Sequence, residues 1–123
     1  MFLATTNRVK RVLHLNFIGH VRVEDLERTR DELGLLLADL PRGFRVLTDL
    51  SLLKSMDVAC EAEISRMMKE FDHKEMSAVI RVIPEPQKDI GFNILAAFHY
   101  QRQVRADTYE SLEEAVRFLN SQS

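Results

Sequence analysis

Ser51, Lys54, Ser55, Asp57 and Cys60 fall within ten residues of one another, with Asp49 just before them. Two carboxylates so close in sequence are a candidate pair for general acid–base work. The residue types around Asp49 and Asp57 favour a plainer account. Asp57 is well placed as the N-cap of a helix beginning at Val58, its carboxylate accepting from the free first-turn amides. Asp49 closes a strand beside a loop. Cys60 falls in the first turn of that helix, where amide dipoles stabilise a thiolate. It also shares the helix's apolar stripe with Ile64, which makes a buried structural thiol the stronger reading. Ser51 and Ser55 shape a turn by bonding local backbone. As hydroxyls they are also the stretch's phosphorylation candidates.

Other reactive types are scattered. His14, His20, His73 and His99 show no metal-ligand spacing, such as two histidines four apart on one helix. His14 on a strand and His99 on a helix read as packing or surface residues, and no metal is expected. Gly19 and Gly91 belong to neither a dinucleotide-binding nor a Walker-type glycine loop, so no nucleotide or other cofactor is expected. Met67, Met68 and Met76 are most simply core, with an adaptable ligand groove as the minor alternative.

The elements that position these side chains follow from periodicity. Phe2–Thr6 is a short edge strand turning at Thr6–Arg8. In the strand Lys10–Ile18, Leu13, Leu15 and Phe17 face one way and Val12, His14, Asn16 and Ile18 the other. Gly19 ends it. Leu26, Leu33, Leu37 and Leu40 form one stripe of a helix over Val23–Leu40, with acidic residues in its first turn. Pro41-Arg42-Gly43 stops that helix, and the central strand Phe44–Leu50 follows. A polar loop, Ser51–Asp57, leads into a second helix, about Val58–Phe71. Met76–Ile83 is a strand, Asp89–Gln101 a third helix and Val104–Tyr109 a last strand. Ser111-Leu112-Glu113-Glu114 is a capping box that opens the closing helix. The order β-β-α-β-α-β-α-β-α predicts an α/β fold with a mostly parallel sheet and an antiparallel N-terminal hairpin edge. The strands at 10–18, 44–50 and 76–83 are expected at its centre.

The 123 residues suit one domain over 1–123. Charged residues make up 29% of the chain, 17 basic against 19 acidic, and both signs are interspersed. No basic stripe suggests nucleic acid, and no run is long and apolar enough to span a bilayer. One cysteine and the absence of a signal-peptide pattern point to the cytoplasm.

Val46-Leu47-Thr48-Asp49-Leu50-Ser51 through Met56-Asp57 resembles the strand–loop pattern of the STAS domain family, the anti-sigma-factor antagonists and their relatives. Ser111-Leu112-Glu113-Glu114-Ala115 resembles that family's closing helix. The resemblance implies a STAS-like fold and a non-enzymatic regulatory role through a protein partner. It also implies a phosphorylatable serine or threonine directly after the aspartate. Here Asp57 is followed by Val58, which has no hydroxyl, so the usual kinase-controlled switch does not carry over. The expected partner surface is Ser51, Lys54, Ser55, Asp57 and Val58 with the start of the second helix. A homodimer is a further admissible assembly. The alternative is a small-molecule or lipid binder with an apolar pocket between the second and third helices.

Overall fold

The computed structural model describes residues 1–83 and 105–121. The alternating run starting at Val12 forms β2 (Val12–Val21), and β1 (Phe2–Asn7) folds back on it antiparallel, with Phe2 opposite Phe17. The turn between them occupies residues 8–11, later than the composition of Thr6–Arg8 suggests. Asn7 sets it by accepting the Lys10 amide at 3.0 Å, and Arg11 takes a positive φ of 55°.

Next come α1 (Val23–Arg28) and α2 (Arg30–Ala38), then β3 (Arg45–Met56). The chain continues as α3 (Cys60–His73) and β4 (Ala78–Val82). It finishes with β5 (Arg105–Tyr109) and α4 (Leu112–Ser121). The five strands form one sheet in the order β1-β2-β3-β4-β5, antiparallel at β1–β2 and parallel elsewhere. The three strands expected at the centre are there, and β1 is an edge. The helix expected over Asp89–Gln101, with Gly91 and His99, lies outside the described residues.

Two corrections concern the first half. The helix expected over Val23–Leu40 is divided at Thr29. Its hydroxyl donates back to the carbonyls of Asp25 (2.8 Å) and Leu26 (3.2 Å), which competes with the regular ladder. Leu26, Leu33, Leu37 and Leu40 are nevertheless all buried. The second correction is larger. Ser51–Met56 is not a loop but the second half of β3, paired with the end of β2. Gly19 accordingly lies within β2 instead of ending it.

The sheet is covered on both faces. Leu13, Leu15 and Phe17 are fully buried in the larger core, with Leu26 of α1, Leu33 of α2 and Ile64, Met67 and Phe71 of α3. Met68 and Met76 belong to the same core. Val12, Leu47, Ile80 and Val82 form a second cluster with Ala115 and Leu119 of α4. Ser111 caps α4 by accepting the Glu114 amide at 3.2 Å. Burying each large aliphatic or aromatic side chain contributes about 1.5–3 kcal/mol. These two layers therefore set where the ends of β2 and β3 stand.

Candidate functional site

The site is built by two slips in strand register. At the base of the sheet Asn16 of β2 faces Asp49 of β3. An unbroken register would set His20 against Leu53. Instead an extra β3 residue enters between the pairs Asn16–Asp49 and Ile18–Leu52, and another between Gly19–Leu53 and His20–Ser55. Asp49 holds the first bulge, its carboxylate accepting the Ser51 amide at 2.9 Å. Gly19, at φ +67°, takes up the second on the β2 side. The result sets His20 opposite Ser55.

His20 is the hub. Its Nδ1 is 2.6 Å from Ser55 Oγ, and its Nε2 is 2.9 Å from Asp57 Oδ1. A carboxylate only accepts, so Nε2 carries the proton. In the neutral ring Nδ1 is then the acceptor, and the Ser55 hydroxyl donates to it. The chain is open to solvent, with the His20 and Asp57 side chains 50% and 42% exposed.

Asp57 is therefore not the helix cap expected of it. α3 begins at Cys60, with Ala59 at the cap position and no side-chain cap. A tight turn precedes it, in which the Asp57 and Val58 carbonyls accept the amides of Cys60 (2.9 Å) and Glu61 (3.0 Å). The turn leaves the Asp57 side chain to meet His20, while the Asp57 amide donates to the Val21 carbonyl at 3.0 Å.

The two aspartates do not form a pair; each has its own histidine. Asp49 is buried, 3.9 Å from His14 Nε2. Burial pushes its carboxyl up, but the neighbouring His14 and the hydrogen bond from Ser51 outweigh this and hold it below the usual carboxylate range. Cys60 is fully buried, as its place on the apolar stripe implied. Burial, reinforced by the charges of Asp57 and Asp25, pushes its thiol up to about 11. It stands as a neutral thiol near the Val21 carbonyl (3.7 Å), not as a nucleophile.

Of the five residues expected at a partner surface, Ser55 and Asp57 are brought together by His20. Ser51 lies at the first bulge, and Lys54 and Val58 are exposed. Leu52 and Val58 are large apolar residues left 62% and 74% exposed at this end. Among the described residues no three His, Cys, Asp or Glu side chains gather as a metal site. Sequence reasoning missed His20, because it sought histidines at helical spacing. The usable signal was the Gly19-His20 dipeptide near the end of a strand parallel to one rich in Ser and Asp.

Two clefts border the sheet. One of about 450 Å³ lies beside His20 and is lined by Arg22, Asp25, Arg28 and Thr29. Another of about 200 Å³ lies between α4 and the first strands, lined by Val12, His14, Leu47 and Leu119. The apolar pocket expected between the second and third helices cannot be placed, because its third-helix wall lies outside the described residues.

No family model matches the chain, and no curated protein matches it in sequence. Solved structures do match it. One is the anti-sigma factor antagonist SpoIIAA in its unphosphorylated form, at 13% identity and a TM-score of 0.68, with 98% of each chain covered. Another is an uncharacterized DUF3478-family protein with a SpoIIAA-like fold from Shewanella loihica PV-4. It matches at 14% identity and a TM-score of 0.69, over 96% of this chain and 93% of that one. The chain has the STAS-like fold implied by its Asp-Leu-Ser strand and closing helix.

Proposed function

We propose that this chain is a non-enzymatic, cytoplasmic regulatory domain. It binds a protein partner through the far end of β2–β3 and the turn into α3, using Ser51, Lys54, Ser55, Asp57 and Val58. The supporting observation is that this stretch leaves two large apolar residues, Leu52 and Val58, exposed between its polar ones along the chain. Exposed apolar residues rimmed by polar ones mark interaction sites when they cluster. The fold likeness to an anti-sigma factor antagonist supports a protein as the partner.

A photo-crosslinking residue at Leu52 or Val58 tests the reading. Either position should capture one defined protein, or a second copy of the chain. The same residue at the exposed Leu35 of α2 should not. Equal capture from Leu35 would move the surface elsewhere. Incubation with a serine kinase and ATP should leave residue 58 unmodified, because valine offers no oxygen. Phosphate at Ser51 or Ser55 would put a switch inside the surface and revise the reading.

A further inference from the structure

We propose that Ser55 is a site of covalent modification by activated acyl and phosphonyl compounds, with His20 as its general base and Asp57 as the residue that positions the ring. Three observations carry this independently of any partner. Ser55 Oγ and Asp57 Oδ1 occupy opposite nitrogens of one imidazole, at 2.6 and 2.9 Å. The carboxylate thereby selects the tautomer whose free lone pair faces the hydroxyl. This is the logic of a serine–histidine–aspartate triad with the two ring nitrogens exchanged. The group is also accessible, since half of the His20 side chain meets solvent. Finally, Ser55 is itself only half-buried, so a reagent can approach its hydroxyl.

With an activated ester, Ser55 Oγ bonds to the acyl carbon as its proton passes to His20 Nδ1. The bond from that carbon to the leaving oxygen breaks, and the leaving oxyanion takes the proton from the imidazolium. With an alkyl fluorophosphonate the new bond is to phosphorus, and fluoride leaves with the proton. Either reaction is a single modification of the protein and needs no redox partner.

The test uses the whole chain with an alkyl fluorophosphonate and, separately, p-nitrophenyl acetate, mapping the adduct by peptide mass spectrometry. One adduct at Ser55 is expected, absent in Ser55→Ala. Loss of a general base should slow the reaction about 100-fold or more in His20→Ala. His20→Gln, which keeps a polar side chain at this half-exposed position, should be equally slow. In Asp57→Asn the amide can donate to Nε2, which favours the tautomer that cannot accept from serine, so the rate should fall there too. Adducts spread evenly over Ser51, Ser55 and Ser77, or a His20→Ala rate equal to wild type, would overturn the assignment.

Discussion

The β2–β3 pair is built in two halves that obey different rules. Along Arg45–Asp49, β3 has β2 on one side and β4 on the other. Here Val46 packs into the larger core and Leu47 into the smaller one. A one-residue slip would exchange the two faces, so burial on both sides pins the register. Beyond Asp49, among the described residues, β4 no longer pairs and only β2 continues alongside. Leu53 and Met56 are buried but Leu52 and Lys54 are not. With one side chain set to bury, the strand admits two extra residues. The slips carry Ser55 to His20. A fully packed sheet would not tolerate that freedom, which is why the polar chain sits at this end.

The sharpest way to break this comparison is to truncate one side chain in each half. Leu15→Ala, in the base, should lose about 2–5 kcal/mol, because a fully buried leucine leaves a cavity. His20→Ala, five residues along the same strand, should change stability by less than about 0.5 kcal/mol, as expected at an exposed position. Urea unfolding of both variants decides, and similar losses would remove the distinction.

The packed part also carries a charge cluster. Glu63 of α3 is 8% exposed and accepts from Arg30 at 2.8 and 3.1 Å and from Arg66 at 2.9 and 3.2 Å. Burial pushes its carboxyl up, but the two guanidiniums outweigh that and hold it below the usual range. A lowered carboxylate stabilises the fold above its unfolded pKa, and that stability is lost as pH falls through the folded value. Thermal melts from neutral to acid pH should therefore fall off more steeply in wild type than in Glu63→Gln. Near neutrality the substitution should cost about 2 kcal/mol, below the value for a fully buried pair because both arginines are partly exposed. Parallel acid profiles would show that the cluster contributes nothing specific.

At the junction between the halves the expected effect is smaller. A Cβ at Gly19 meets nothing within 4 Å, so Gly19→Ala costs only its backbone strain at φ +67°. That is about 1 kcal/mol. If the strain is relieved by closing the second bulge, His20 moves off Ser55. The imidazole NMR signals of the variant should then resemble those of Ser55→Ala. Unchanged signals would show that the bulge does not depend on glycine.

The base of the sheet was legible because its side chains are sorted by burial. Leu13, Leu15 and Phe17 alternate, and the leucine stripe of Leu26 to Leu40 survives even where Thr29 divides the helix. The site was less legible for the same reason. Ser51–Asp57 has no clean period of two, since bulges add residues, so it read as a loop. Asp57 before a helix looks like a cap, and only the Val58–Ala59 turn diverts it. His20 carried only the Gly19-His20 signal near a strand end, and its pairing with Ser55 was not legible, because that contact depends on the two register slips.

Lys54 offers the smallest effect on folding and the clearest separation of scaffold from surface. It is the residue inserted at the second bulge, between Leu53 opposite Gly19 and Ser55 opposite His20. No β2 residue stands across from it, so there is no cross-strand pair to lose. Its side chain is exposed, and an isolated surface charge contributes little to stability. Lys54→Glu should therefore melt within a degree or so of wild type, a shift equivalent to less than about 0.5 kcal/mol. In a complex formed through this end, the reversed charge should slow association and alter its salt dependence, since charges at the edge of a contact act mainly on encounter. Melting curves and binding kinetics with the crosslinked partner, purified, are the two measurements. An unchanged melt with slower association fits the division of β3 into packed base and exposed end. A melt lowered as far as that of Gly19→Ala would mean that Lys54 anchors the bulge and that this end is scaffold as well.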